Sequence, residues 1–216
     1  RVSAAGTLTG LDLPPAGKNI ELKPYAVARS TTDRTRSPVI SNQVTGDAGG
    51  DLKYQITPNL TLDATVNTDF AQVEIDEQQV NLTRFNLFLP EKREFFLEGR
   101  GLFDFARGGS SGGASGGGGS SDTPYLFYTR RIGLNRGRVI PIDAGGRLTG
   151  KIGDYGVGVL NIQTGDESVS NTEPTNFTVV RVKRDVLRRS AVGAMFTNRS
   201  LAAVGTGSNQ AYGLDG

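Results

Sequence analysis

Strict alternation of apolar and polar residues constrains this chain more than any other feature. In Asp51 to Thr57, Leu52, Tyr54 and Ile56 alternate with Lys53 and Gln55; in Leu60 to Thr68, Leu60, Leu62, Ala64 and Val66 alternate with Thr61, Asp63, Thr65 and Asn67. A period of two sends successive side chains to opposite faces of an extended strand, so each segment owns one apolar and one polar face. Pro58 and Asn59 fit a two-residue turn, which makes the pair a hairpin. Strand signals recur over Tyr125 to Ile132, Ala144 to Ile152, Tyr155 to Thr164, Asn176 to Lys183, Ser190 to Asn198 and from Ala211 onward. Asn19 to Arg29 reads as a further strand broken at Pro24, and Thr31 to Gly50, rich in Ser, Thr, Asp, Asn and Gly, reads as a loop. Short turns alternating with long polar loops describe an all-β antiparallel up-and-down meander.

Such a meander can wrap a dry core, as a sandwich or soluble barrel, or turn its apolar face to lipid as a transmembrane β-barrel. Composition narrows the choice without closing it. Gly156, Gly158, Gly193, Ala191 and Ala194 lie in the strands, with no Trp and one Met in the chain, which is thin filling for a sandwich core. Polar positions such as Asp63, Thr65, Asn67, Arg147, Thr149 and Lys151 suit a wet lumen. No run approaches the ~20 apolar residues of a membrane helix, a test that transmembrane strands escape. The chain has neither Cys nor His, which excludes disulfide scaffolds, thiolate zinc sites and His-dependent triads. A formal charge of only +2 leaves no nucleic-acid footprint.

The alternation fails between residues 69 and 99. Asp76 followed by Gln79 predicts a capped short helix across Glu77 to Phe88, and Pro90 to Gly99 (PEKREFFLEG) sets five charges around two aromatics. Gly108 to Ser121 holds only Gly, Ser and one Ala and is expected to be a flexible loop. Residues 1–17, small and polar with Pro14 and Pro15, read as a connector; the start at Arg1 and the end inside a new alternating segment are expected of an internal piece of a longer protein.

The run TVNTDFAQVEIDEQQVNLTRFNLFLPEKREFFLEGRGLFDF (Thr65 to Phe105), with FYTRRIG (Phe127 to Gly133), IDAGGRLTGK (Ile142 to Lys151), LNIQTGDE (Leu160 to Glu167) and NFTVVRVKRDVLRRSAVGAMFTNR (Asn176 to Arg199), resembles a bacterial family of unknown function. Its members carry a carbohydrate-binding family 9-like (DOMON-type) domain followed by an outer-membrane β-barrel. The resemblance implies that residues 18–216 are the N-terminal portion of such a barrel, continuing beyond the chain, with residues 1–17 linking it to a missing domain. It also implies outer-membrane lipid as a partner, glycan as the ligand of the upstream domain, and no cofactor. The Gly/Ser tract is longer than the family pattern leads one to expect.

Three clusters are candidate sites. Asp69, Glu74, Asp76 and Glu77 offer hard oxygen donors, but at a spacing that matches no calcium loop, so a solvated acidic loop is the plainer reading and no metal is assigned. Glu91 and Glu98 have the residue types of a glycosidase pair. The favoured reading makes Asp69, Glu74, Asp76, Glu91, Lys92, Arg93, Glu94 and Glu98 a charged insert folded toward the lumen, with structural or gating roles and no catalytic residue. Arg181, Lys183, Arg184, Arg188 and Arg189 place five cations near one rim, suited to lipid phosphate or lipopolysaccharide. Tyr125, Phe127 and Tyr128 fit an interfacial aromatic girdle. Two functions follow from these readings: a transport or surface glycan-binding component of the outer membrane, or a soluble β-rich carbohydrate-active enzyme or binding module using the carboxylates.

Overall fold

The computed structural model describes residues 19–33, 40–68, 91–105, 126–135, 138–167, 171–187, 190–201 and 207–216. The connector at 1–17, the helix expected over 77–88, the acidic residues Asp69, Glu74 and Asp76, and the Gly/Ser tract lie outside these.

The all-β reading holds. Eight strands form one antiparallel sheet in the order β1 (Ile20–Asp33), β2 (Ile40–Thr57), β3 (Leu60–Thr68), β6 (Ile142–Ile152), β7 (Tyr155–Thr164), β8 (Thr175–Leu187), β9 (Ser190–Arg199) and β10 (Asn209–Asp215). Two short strands, β4 (Leu134–Asn135) and β5 (Arg138–Val139), pair separately. Among the described residues, helix is confined to α1 (Glu94–Leu97) and two 3-10 turns at Arg100–Phe103 and Thr129–Arg131. Each strand neighbours the next in sequence except at the β3–β6 seam, where Leu62 faces Leu148 and Asp63 faces Arg147 across the whole 69–141 connection. The sheet is open, with β1 and β10 at its edges.

Two expectations need correcting. The segment expected as a loop up to Gly50 is strand from Ile40 onward, because pairing with β1 overrides a loop-like composition. At Gly49 a Cβ would stand 2.5 Å from the Tyr25 hydroxyl, which donates to the Asn67 carbonyl at 2.9 Å, so the small residue is what lets Tyr25 cross the strand. The strand expected at Tyr125 to Ile132 is instead a 3-10 turn within residues 126–132, with Arg93 bonded to its carbonyls.

The sheet's two faces differ. One is covered by residues 91–105 and 126–133, and a buried cluster forms in between: Phe96, Phe103 and Ile132 from the covering segments, Ile142, Leu160, Ile162, Val179 and Met195 from the sheet. The dry core is therefore small and lies between wall and insert, not between two sheets. The opposite face is bare. Paired rows such as Tyr54, Leu62, Leu148, Val159, Val180, Phe196 and Tyr212 run across it. Leu22 on this face is 68 % exposed and Leu214 84 %, and of its described residues only Leu60, beside the Asn59 turn, is buried.

Candidate functional site

In the covering segment the Glu91 side chain folds back on its own backbone. Its Oε1 accepts from the backbone N–H groups of Lys92 and Arg93, both at 3.1 Å. Arg93 closes the loop with Nε to Glu91 Oε1 and Nη2 to Oε2, both at 2.8 Å, a bidentate pair with each side chain 2 % exposed. The same guanidinium donates to the carbonyls of Ile132 at 2.6 Å and Thr129 at 2.8 Å, and lies 4.2 Å from the Phe96 ring centre. Arg93 thus ties two covering segments together with its charge neutralised and its donors used, the condition under which a buried ion survives. Burial pushes the Glu91 carboxyl up, but hydrogen bonds and charge from Arg93 outweigh it and leave the group below its ordinary value.

Helix α1 follows and is held by the wall. Arg147 on β6, 3 % exposed, bonds Asp63 Oδ2 through Nη2 at 2.6 Å and Nε at 3.2 Å. Its Nη1 donates to the carbonyl of Phe95 and, at 2.5 Å, to that of Glu98, so a cation sits where the last turn of the helix exposes carbonyls. Glu98 Oε2 lies 3.3 Å from Arg147 Nη2, and Glu98 Oε1 accepts from Lys53. The hydrogen bond from Lys53 holds the Glu98 carboxyl below its usual range; burial opposes this, and the charges of Lys53 and Arg147 support it. Gly99, at φ 66°, ends the helix in the left-handed region and packs over Thr149.

Beyond Gly99 the insert's side chains fill notches left by glycines of the wall. A Cβ on Gly158 would come within 3.0 Å of the Phe103 ring, and one on Gly213 within 2.6 Å of Phe105. Arg181 on β8, 1 % exposed, crosses β9 over Gly193 to grip Asp215 on β10 at 2.5 and 2.6 Å, with Phe105 5.7 Å away. On the β1–β3 side the arrangement is different. A cavity of about 550 Å³ separates α1 from the strands, and Glu21, Lys23, Tyr25, Asp51, Glu94 and Phe95 are among its walls.

The described residues of the expected insert therefore divide. Glu91, Arg93 and Glu98 are fixed among the sheet's charges and the second covering segment, while Lys92 and Glu94 are exposed. Of the expected rim cations, Arg181 is buried on the covered face, Lys183 shares that face, Arg184 is exposed on the bare face beside Tyr155, and Arg188 and Arg189 lie outside the described residues. Phe127 packs against Phe103 at 5.8 Å and so joins the core, not a girdle. Asp63, Asp215 and the glycine notches were not singled out from sequence; the one available signal was that Asp63 and Arg147 both occupy polar strand positions. Both carboxyls are engaged by cations, Glu91 by Arg93 and Glu98 by Lys53 and Arg147, which hold each below its ordinary value. Among the described residues no group of three acidic side chains is placed to hold a metal ion.

Residues 18–140, more than half of the chain, match the family model described as Domain of unknown function (DUF5916). No curated protein and no solved structure matches the chain.

Proposed function

We infer that this chain, which belongs to the DUF5916 family of unknown function, builds wall and inner plug of a bacterial outer-membrane β-barrel that serves as a transport or glycan-binding component. The observation that carries the reading is the inversion of the two faces. Large apolar side chains crowd the bare face, where Ile20, Leu22, Val66, Tyr212 and Leu214 are each more than half exposed. Charged residues and glycines crowd the covered one. In water a contiguous apolar surface of this kind is unfavourable and marks an interaction face; against hydrocarbon it is the favourable arrangement.

Polar wall residues and the 91–105 insert set what passes, with no chemical step. Selection is passive, by size and charge, along the cavity that the insert leaves free beside β1–β3. Every backbone group of an edge strand needs a partner in lipid, so the reading requires the edges at β1 and β10 to be paired within the assembled barrel.

Membrane fractionation of the full-length protein, with gel migration compared before and after boiling, tests this. Recovery in the outer membrane with a heat-dependent mobility shift is expected, and recovery in the soluble fraction would defeat the reading.

A further inference from the structure

The ends of the sheet are unequal. At one end the strands reverse through the two-residue turns Pro58–Asn59 and Gly153–Asp154, and again between Leu187 and Ser190. At the other lie the connections 34–39, 69–141, 165–174 and 200–208. Outer-membrane barrels keep short turns on the periplasmic side and long loops outside.

One row of side chains gives the short-turn end a chemical character. Ile152, Tyr155, Arg184 and Val192 face one another across β6 to β9 on the bare face. Arg184 lies 5.1 Å over the Tyr155 ring and donates to its hydroxyl at 3.2 Å, with about half of its side chain exposed. An outward cation stacked on an aromatic, bordered by exposed Ile152 and Val192 and in register with Tyr155, the first residue after the Gly153–Asp154 turn, is the pattern of a side chain reaching from hydrocarbon to headgroup. Asp154, 3.9 Å from Arg184 and 80 % exposed, is too solvated to neutralise it.

We propose that the short-turn end is the periplasmic rim, and that the Ile152, Tyr155, Arg184 and Val192 row docks on phosphate headgroups of the phospholipid leaflet. The proposal rests on the barrel reading above and adds a sidedness to it. The insert then enters from the cell exterior, since Arg93 lies near Ile132 and Gly133 at the long-connection end while Gly99 lies over Thr149 near the turns. Asn19 accepts from Gln55 at 2.9 Å, next to the Pro58–Asn59 turn, so the chain comes into β1 from the periplasm.

Residues 1–216 contain no Cys, so in a full-length background in which any Cys outside them is replaced by Ser, each introduced thiol is the sole label site. Single variants of the full-length protein, Asn59→Cys and Asp154→Cys at one end and Asp166→Cys and Glu173→Cys at the other, are exposed to a membrane-impermeant maleimide on intact cells. Labelling of positions 166 and 173 in intact cells, with 59 and 154 labelled only after disruption, is expected. The reverse pattern, or equal labelling or equal protection of both sets, overturns the sidedness. Fractionation of the same samples separates that result from failure of the barrel reading. In refolding into phosphatidylcholine vesicles containing phosphatidylglycerol, Arg184→Gln should reduce insertion about fivefold and Arg184→Lys should restore it. Equal insertion of all three proteins overturns the headgroup contact.

Discussion

Gly193 lies directly beneath Arg181: a Cβ there would stand 2.7 Å from Nη1 and 2.9 Å from Nη2. The guanidinium reaches Asp215 across β9 only because that position is empty, so one hydrogen-for-methyl difference decides whether three strands are cross-linked on the covered face. Gly193→Leu should displace the cation and leave a buried charge unpaired, a loss of about 3–5 kcal/mol. The boiling-dependent gel shift, followed against temperature, should occur at lower temperature in this variant. Replacing both partners, Arg181→Met with Asp215→Leu, should recover most of the loss; a double variant as unstable as Gly193→Leu would contradict the account.

Arg93 and Glu91 give a second asymmetry. Arg93→Gln strands a buried carboxylate and also removes donors to the Ile132 and Thr129 carbonyls, so it should cost about 3–5 kcal/mol. Rapid proteolysis between residues 91 and 105, measured by mass spectrometry, is the expected sign. Arg93→Lys should rescue little, because an ammonium cannot reproduce the bidentate geometry.

The latch between Lys53 and Glu98 predicts a pH dependence. Glu98 has a lowered value in the folded protein, so its stabilising effect is complete above the unfolded carboxyl value and disappears as pH falls through the folded one. Loosening of α1 from β2 is therefore expected only in acid, below the ordinary carboxylate range. Hydrogen exchange at residues 94–99 against pH should show it, and Glu98→Gln should already be loosened at neutral pH and respond less to acid.

The glycine notches predict a size threshold. At Gly158 the Phe103 ring is 3.0 Å from a new Cβ, close enough that Ala demands a small shift and Leu demands expulsion of the ring. Gly158→Leu should destabilise by about 1–3 kcal/mol and Gly158→Ala by less, read from urea midpoints. Equal midpoints for Leu and wild type would mean that Phe103 is not seated there.

On the bare face Val159→Arg separates solvents. A guanidinium at the bilayer midplane costs about 2–4 kcal/mol, whereas the same change on a wet strand surface is small. The barrel proposal expects the larger loss in vesicle-refolding equilibria, and a small one would count against it.

Strand positions were legible in the sequence where hydrophobic alternation and turn residues agreed. Leu60 to Thr68 and Tyr155 to Thr164 are strands whose expected and observed limits coincide, because Pro58–Asn59 and Gly153–Asp154 mark where each begins. Ile40 to Gly50 was not legible, since its strand exists by pairing with β1 and its small residues carry no periodic signal. The charged character of 91–98 was visible in the sequence, and the structure sets Glu98 beside Lys53 and Arg147 of the sheet. Its partners did not emerge, because Asp63 and Arg147 are far apart in sequence and meet only through the β3–β6 register. The glycines on β7 and β9 were read as missing core volume; their meaning depends on Phe103 and Arg181, which reach them from other parts of the chain.

That register also bears on the order of assembly. Most seams of the sheet can zip from a local reversal, but β3 and β6 must find each other over the longest separation of any adjacent pair, and long-range closure is the slow step in forming β structure. The residues closed off by this late event are those that pack against the wall. Residues 91–105 and 126–133 are therefore expected to seat on the sheet only as this last seam forms, so that covering the face and completing the sheet are one event.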